Sequence, residues 1–480
     1  MKNVTIILFG ATGDLSKRKI IPALYRFVAH EKLQNFAIVG AAFDDVTSDH
    51  MINAAQPFVE NGDEKIWDLL RTNSFYKKIN FTENHDYHAF NTFVQECEQK
   101  QGINGNRLFY VATAAQFFCP ITHNCAQAGL LQRKDVHNQA WHRIVYEKPF
   151  GHDLQSAHAI NECIAQWVNE TQVYRIDHYL TKEVVSNIAM IRFTNCVLEP
   201  LWSNRYIDQV QIVLGENGGI EGRGAYYDAY GALRDVVQNH MLEMLALVCM
   251  ETPEKLTGDY IRAERVKVLE KVRFIDGILG QYDGYTSENH VSASSRTDTY
   301  ASLKLAVDTP RWAGVPFYLK TGKRLDKKET IIHIKFKQVD CLLMRGCPTD
   351  SNWLTIQIAP EAIFLLTLNA KVVGSSDQVM PVGMEFCHSC LYGLQTPEAY
   401  EVLLEEVMRG EQSISVRFDE IEYAWKLIDA IELEKLPVYS YAQGSTGPQQ
   451  EQQFAAKHGI VKPNVLNRYE KQDPIKGSPL

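Results

Sequence analysis

The sequence predicts two domains of different class: an α/β domain with a doubly wound parallel sheet, then an α+β domain with a large, mainly antiparallel sheet covered by helices. Three observations carry this expectation. The chain has 480 residues, more than one hydrophobic core comfortably serves. Its early strands are continuous apolar runs separated by helical patterns, as in parallel sheets buried on both faces. Its later strands alternate apolar and polar residues, as in sheets with one exposed face.

Residues 4–9 form an apolar run that stops at Gly10 and reads as the first buried strand. A helix follows over 14–30, with Leu15, Ile20, Ile21, Leu24 and Phe27 at near-helical spacing. Further strands are expected at 36–40, 108–112 and 144–146, with helices between. The character changes after about residue 178. Val210, Ile212 and Leu214 alternate with Gln209 and Gln211, Leu303 and Leu305 with Ser302 and Lys304, and Ile332, Ile334 and Phe336 with His333 and Lys335. Helical patterns cover 182–191, 227–250, 397–409 and 419–433. The tail after Gly444 is rich in Gly, Pro, Gln and Lys and reads as a surface wrap or partly disordered segment. The expected domains are residues 1–178 and 179–480.

Composition narrows the function classes. Lys and Arg number 49 against 58 Asp and Glu, a net charge of −9. That balance speaks against a general nucleic-acid binder, which needs a basic face, but leaves room for a local cationic pocket. No apolar run approaches a membrane span. The N-terminal apolar run leads into Gly13-Asp14 and Lys17-Arg18-Lys19 where a cleavage site would sit, so it reads as a strand rather than a leader. Ten scattered cysteines suit reduced thiols in a cytoplasm. Cys387-His388-Ser389-Cys390 has metal-like spacing, with Cys341 and Cys347 upstream, but no clear second ligand pair. Ordinary thiols and no metal are expected.

Gly10-Ala11-Thr12-Gly13-Asp14-Leu15 joins the first strand to the first helix. Glycines there permit a tight turn and close backbone approach to a pyrophosphate, and the helix N-terminus offers unpaired N–H groups. The first domain is therefore expected to be Rossmann-like and to bind a dinucleotide, with Lys19 able to face it.

More specific segments follow in order: Tyr146-Glu147-Lys148-Pro149-Phe150-Gly151, Arg175-Ile176-Asp177-His178-Tyr179-Leu180-Thr181-Lys182-Glu183, Arg234-Asp235-Val236-Val237-Gln238-Asn239-His240, Arg311-Trp312-Ala313-Gly314-Val315-Pro316-Phe317 and Thr321-Gly322-Lys323-Arg324-Leu325. With these separations the chain resembles the glucose-6-phosphate dehydrogenase family over about residues 4–450. The resemblance implies oxidation of D-glucose 6-phosphate to 6-phospho-D-glucono-1,5-lactone with hydride transfer to NAD or NADP, the first step of the oxidative pentose phosphate pathway. It implies His240 as general base, a role suited to imidazole near neutrality, and Asp177 as its orienting carboxylate. It places phosphate binding on His178, Tyr179 and Lys182, all able to donate to phosphate oxygens. A helix beginning there would align His178 and Lys182 on one face. Glu216 and Asp235 become acceptors for sugar hydroxyls, Lys323 and Lys328 further substrate-side residues, and Lys148 the junction of sugar and nicotinamide. Coenzyme contacts fall on Gly10, Ala11, Thr12, Gly13, Asp14, Leu15, Lys19, Phe43, Asp44, Ala114, Lys148 and Pro149. The large sheet is implied to form a homodimer or dimer-of-dimers interface.

Two departures from the family bear on the coenzyme. Phe43 stands where the family usually places an arginine for the 2′-phosphate of NADP, and Asp44 and Asp45 follow. A carboxylate accepts from a ribose diol and repels phosphate. One such charge about 5 Å from a phosphate costs roughly 3 kcal/mol at an effective dielectric near 20, about a hundredfold in affinity. NAD is thus expected to serve at least as well as NADP, unless Lys17, Arg18 or Lys19 holds the phosphate. Ala114-Ala115 also replaces a common Pro-Pro pair, which loosens that loop. The rival readings are a paralogous NAD-dependent dehydrogenase of another phosphorylated sugar and a non-catalytic sugar-phosphate-binding protein; the presence of His240 and Lys182 argues against the second.

Overall fold

The apolar runs of the N-terminal half come together as a six-stranded, wholly parallel sheet. The structure, a computed structural model, describes residues 2–134, 140–338, 350–375, 378–387, 398–431 and 435–463. Strands β1 (Lys2–Phe9), β2 (Gln34–Ala42), β3 (Ser74–Lys78), β4 (Arg107–Val111), β5 (His142–Tyr146) and β6 (Val173–Arg175) lie in the order β3-β2-β1-β4-β5-β6. All five pairings are parallel. The order reverses between β1 and β4, the switch point beside which doubly wound sheets bind ligands. Phe9, Val39, Phe109, Val111 and Tyr146 are fully buried and share one core with Tyr87, Phe90 and Phe118 from the flanking helices. The short strands β3 and β6 carry too few apolar residues to stand out in the sequence.

The second sheet has nine strands: β7 (Ile207–Gly215), β8 (Val272–Tyr282), β9 (Tyr300–Val307), β10 (Phe317–Gly322), β11 (Glu329–Phe336), β12 (Trp353–Ala359), β13 (Ile363–Lys371), β14 (Val379–Cys387) and β15 (Val438–Tyr441). Their order is β14-β13-β12-β11-β7-β10-β9-β8-β15. Among the described residues β7–β10 and β8–β15 pair parallel and the other neighbours antiparallel.

By contacts the chain gathers into two units. One comprises residues 1–189, 234–270 and 395–431; the other comprises 190–233, 271–394 and 432–480. The helices Leu242–Cys249, Gly258–Leu269, Ala399–Arg409 and Phe418–Ala430 thus gather with the parallel sheet. Their apolar faces find partners there: Phe418–Ala430 packs on Leu154–Ala165 and Gly258–Leu269, and Ala399–Arg409 on Ile21–Ala29. Arg26 Nε donates to Glu401 at 2.6 Å across the last contact.

Three further expectations are corrected. The helix expected over 227–250 is broken. Gly231 adopts φ 67° and ψ 178°, and the N–H groups of Ala232 and Leu233 turn to the backbone carbonyl and carboxylate of Asp298, each at 2.8 Å. A Cβ at Gly231 would lie 2.3 Å from Asp298 Oδ1, so only glycine makes this turn. The tail after Gly444 contains a helix, Gln450–His458, because Phe454 is buried and Asp276 on β8 accepts from Lys457 at 2.6 Å and bonds His458 Nε2 at 2.8 Å. Finally, the thiols are not all reduced. Cys119 and Cys163, 44 residues apart, form a disulfide where helices Phe118–Gln127 and Leu154–Ala165 pack together, with Cα atoms 5.8 Å apart. Cys387 is also disulfide-bonded. His388, Cys390, Cys341 and Cys347 of the metal-like pattern lie outside the described residues.

Candidate active site

The glycine loop sits where the sequence places it. Gly10 has φ 76°, and its N–H donates to Ala41 O at 2.8 Å. A Cβ there would stand 2.4 Å from Ala112 O, so the β1 and β4 loops approach closely only because position 10 has no side chain. Gly13 N–H closes back on Gly10 O at 2.9 Å, and Ser16 Oγ donates to the same carbonyl at 2.8 Å. The turn of π-helix Ser16–Ile20 then runs into Ile21–Ala29. This cradle fits a dinucleotide pyrophosphate. Ala114 precedes the short 3₁₀ turn Ala115–Phe117 on the neighbouring loop.

The end of β2 is aromatic and acidic. Phe43 is 45% exposed and its ring packs at a tilt on Phe81 and Phe117, with centroids 4.4 and 5.7 Å away. Thr12 Oγ1 donates to the Asp44 carboxylate, and Tyr76 donates to Asp44 O at 2.7 Å. Asp45 faces Lys78 at 3.7 Å. The nearby cations already have carboxylate partners: Lys17 and Arg18 pair with Asp14 at 3.1 and 2.8 Å, holding its carboxyl below the usual range, and Lys19 lies 3.9 Å from Glu398.

The same unit brings a buried carboxylate, an imidazole and an ammonium together. Asp177, just after β6, places Oδ1 2.6 Å from His240 Nδ1. Both side chains are almost wholly buried. His240 comes from the π-helical stretch Leu233–Met241, whose wider turn stacks position i over i+5 and so puts Asp235 and His240 on one side. Lys148, on the loop after β5, reaches both: its Nζ lies 3.0 Å from His240 Nε2, 3.1 Å from Asp235 O and 3.4 Å from Asp235 Oδ1. Pro149 follows through a cis peptide bond.

The electrostatics set the protonation states. Burial and the Lys148 ammonium hold His240 below its ordinary value against the opposing pull of Asp177, so the imidazole is neutral near pH 7. Burial alone would raise Asp177, but the His240 ring and its hydrogen bond outweigh it and keep the carboxylate ionised. With the Nδ1 proton directed at that carboxylate, Nε2 is the basic nitrogen.

His178, Tyr179 and Lys182 surround this pair. The ring centroids of His178 and Tyr179 lie 4.6 and 4.4 Å from that of His240, and Lys182 Nζ sits 3.9 Å over the Tyr179 ring. Burial and the His240 ring push His178 down to about 3. The expectation of a shared helical face is corrected: the helix starts at Glu183. Asp177 instead accepts the Tyr179 N–H at 2.8 Å and its carbonyl accepts Leu180 N–H at 3.1 Å, which makes 177–182 a turn.

In the other unit, Lys323 at the end of β10 donates to Glu216 Oε2 at 2.6 Å and lies 5.0 Å over the Tyr227 ring. Glu216, at the end of β7, keeps a third of its side chain exposed, while Lys323 is buried. Lys328 is exposed on the turn before β11.

One group escaped sequence reasoning. Glu243, Arg265 and Glu420 are buried beside Asp177, with Arg265 Nε 2.7 Å from Glu420 and 3.6 Å from Glu243. A carboxylate in the otherwise apolar run Leu242–Cys249 was its signal.

Comparison with known proteins identifies the family. Residues 7–187 match the family model for the glucose-6-phosphate dehydrogenase NAD binding domain, and 189–465 that for its C-terminal domain. The chain is 37% identical to glucose-6-phosphate 1-dehydrogenase of Bacillus subtilis (strain 168), covering 95% of this chain and 97% of that one. It is 38% identical to the Chlamydia muridarum (strain MoPn / Nigg) enzyme, covering 95% of each. A solved glucose-6-phosphate dehydrogenase in complex with its substrate glucose 6-phosphate superposes with a TM-score of 0.88 at 32% identity, over 96% of this chain and 99% of that one. The corresponding Mycobacterium avium structure gives 0.83 at 32% identity, over 96% and 98%. The chain belongs to the glucose-6-phosphate dehydrogenase family.

Proposed function

We propose that His240 Nε2 takes the C1 hydroxyl proton of β-D-glucose 6-phosphate, which leaves as 6-phospho-D-glucono-1,5-lactone. The observation that carries this is the buried Asp177–His240 pair at 2.6 Å, with the basic nitrogen facing Lys148 at 3.0 Å. As His240 gains the proton, the ionised Asp177 stabilises the imidazolium and holds the ring in place. Lys148 then repels the new charge, which favours handing the proton on. A bound nicotinamide dinucleotide supplies the hydride acceptor. His178, Tyr179 and Lys182 bind the phosphate, Asp235, Glu216, Lys323 and Lys328 serve the sugar hydroxyls, and Pro149 shapes the nicotinamide pocket. Gly10, Ala11, Thr12, Gly13, Asp14, Leu15, Lys19, Phe43, Asp44 and Ala114 serve the coenzyme.

NAD serves at least as well as NADP in this reading, because position 43 offers no cation, Asp44 follows, and Lys17, Arg18 and Lys19 face carboxylates. Residues 1–178 carry dinucleotide binding and 179–480 substrate binding and dimerisation. Exposed Met380 and Met384 on β14 support a homodimer formed through the large sheet. The reaction opens an oxidative pentose phosphate branch in a cytoplasm. Initial rates at 340 nm with glucose 6-phosphate, titrating NAD and NADP separately for wild type and His240→Ala, test the whole. Saturable turnover lost by orders of magnitude in the variant is expected. No turnover with either coenzyme overturns the substrate, and a tenfold preference for NADP overturns the coenzyme reading.

A further inference from the structure

Beside the proton-abstracting pair, three buried polar atoms have no hydrogen-bond partner among the described residues: Asp177 Oδ2, Arg234 Nε and Glu243 Oε2. All three side chains line one cavity of about 20 Å³, together with Gln238 and Asn239. A water needs about 10–15 Å³ and two to four polar partners. The cavity meets both conditions.

We propose that Glu243 is a positioning residue for the Asp177–His240 pair: it carries a proton and, through one water in this cavity shared with Arg234, hydrogen-bonds Asp177 Oδ2. That contact fixes the carboxylate so that Oδ1 stays on His240. The inference rests on the reading of His240 as base.

Charge placement supports the proton on Glu243. The groups facing it are Asp177 from the segment after β6, Arg265 from helix Gly258–Leu269, Asp419 and Glu420 from helix Phe418–Ala430, and Arg234 and Lys148 around the cavity. Arg265 is committed elsewhere. Its Nε and Nη2 donate to Glu420 at 2.7 and 3.2 Å, and Nη2 also to Ser415 O at 2.9 Å, whereas Glu243 Oε2 lies at 3.6 Å. One buried arginine therefore serves two buried carboxyls and sits nearer Glu420 than Glu243. Burial, then the Glu420 carboxylate, push the Glu243 carboxyl well above its ordinary range. A protonated acid donates where an ionised one cannot.

The test uses the full chain with Glu243→Gln and Glu243→Leu. At pH 7, a protonated-carboxyl C=O band is expected in wild type that E243Q loses, read in the wild-type minus E243Q infrared difference spectrum. E243L should lower kcat about tenfold or more with KM little changed, as loss of an outer-shell partner does at other sites. E243Q, still neutral and able to donate, should lose less kcat than E243L and keep the acid limb of the kcat/KM profile within about 0.3 pH units. No band in wild type, a fall of the acid limb by a unit or more in E243Q, or unchanged kcat in E243L overturns the proposal. The infrared reading holds whether or not glucose 6-phosphate is the substrate, so it separates failure here from failure of the catalytic reading. It also decides the case should E243L not fold.

Discussion

Asp177→Asn isolates what the buried carboxylate contributes to proton abstraction. The substitution keeps the size of the side chain and an oxygen for Nδ1–H, and removes one charge. At the observed 2.6 Å, the attraction between carboxylate and nascent imidazolium has a ceiling of about 6 kcal/mol at an effective dielectric near 20. The net worth of a charge-assisted hydrogen bond, about 1.5–3 kcal/mol, sets the floor. Both groups are buried, so solvent screens little of this. A loss of about 1.5–6 kcal/mol in the transition state is about tenfold to ten-thousandfold in kcat. The sign of the pH effect follows. Removing Asp177 takes away the group that raises His240, so the acid limb of any residual activity moves to lower pH. Stopped-flow or initial-rate measurement of kcat from pH 5 to 9, with circular dichroism to confirm folding, is the assay. A kcat loss below tenfold at every pH refutes the role given to this pair.

Two further outcomes are expected. Phe43→Arg should raise kcat/KM for NADP over that for NAD about tenfold or more, since a guanidinium offsets the roughly 3 kcal/mol that a carboxylate about 5 Å away imposes on the phosphate; parallel coenzyme titrations check it, and an unchanged ratio removes position 43 from coenzyme choice. Burial and Arg107 hold His142 down to about 4, and its Nδ1 accepts the Gln132 N–H at 2.9 Å. The unfolded chain takes up this proton below about 6.5, so the neutral ring's stabilisation is full above about 6.5 and lost as pH falls toward about 4, at up to about 1.4 kcal/mol per unit. Chemical denaturation at pH 7.5, 6 and 5 should show a shallower loss in His142→Asn than in wild type, and equal slopes would refute the assignment.

Much of the architecture was legible in the sequence because its signals are local. A strand buried on both faces must be apolar throughout, so residues 4–9, 36–40 and 108–112 stand out. A half-exposed strand must alternate, as 209–214 and 332–336 do. Gly10 and Gly13 are needed where backbone approaches backbone. The ordered motifs around Asp177, His240 and Lys323 pointed to the family, whose models span nearly the whole chain. The tertiary structure decided what depends on distance through space. Asp177 and His240 are 63 residues apart, Lys148 and His240 92, and Cys119 and Cys163 44; no periodicity encodes such meetings. The same holds for residues 234–270 and 395–431, which gather with the parallel sheet because their apolar faces find helical partners there. Sequence could name Asp177 and His240, but only packing could bury them together, and burial is what keeps the imidazole neutral and the proton on Glu243.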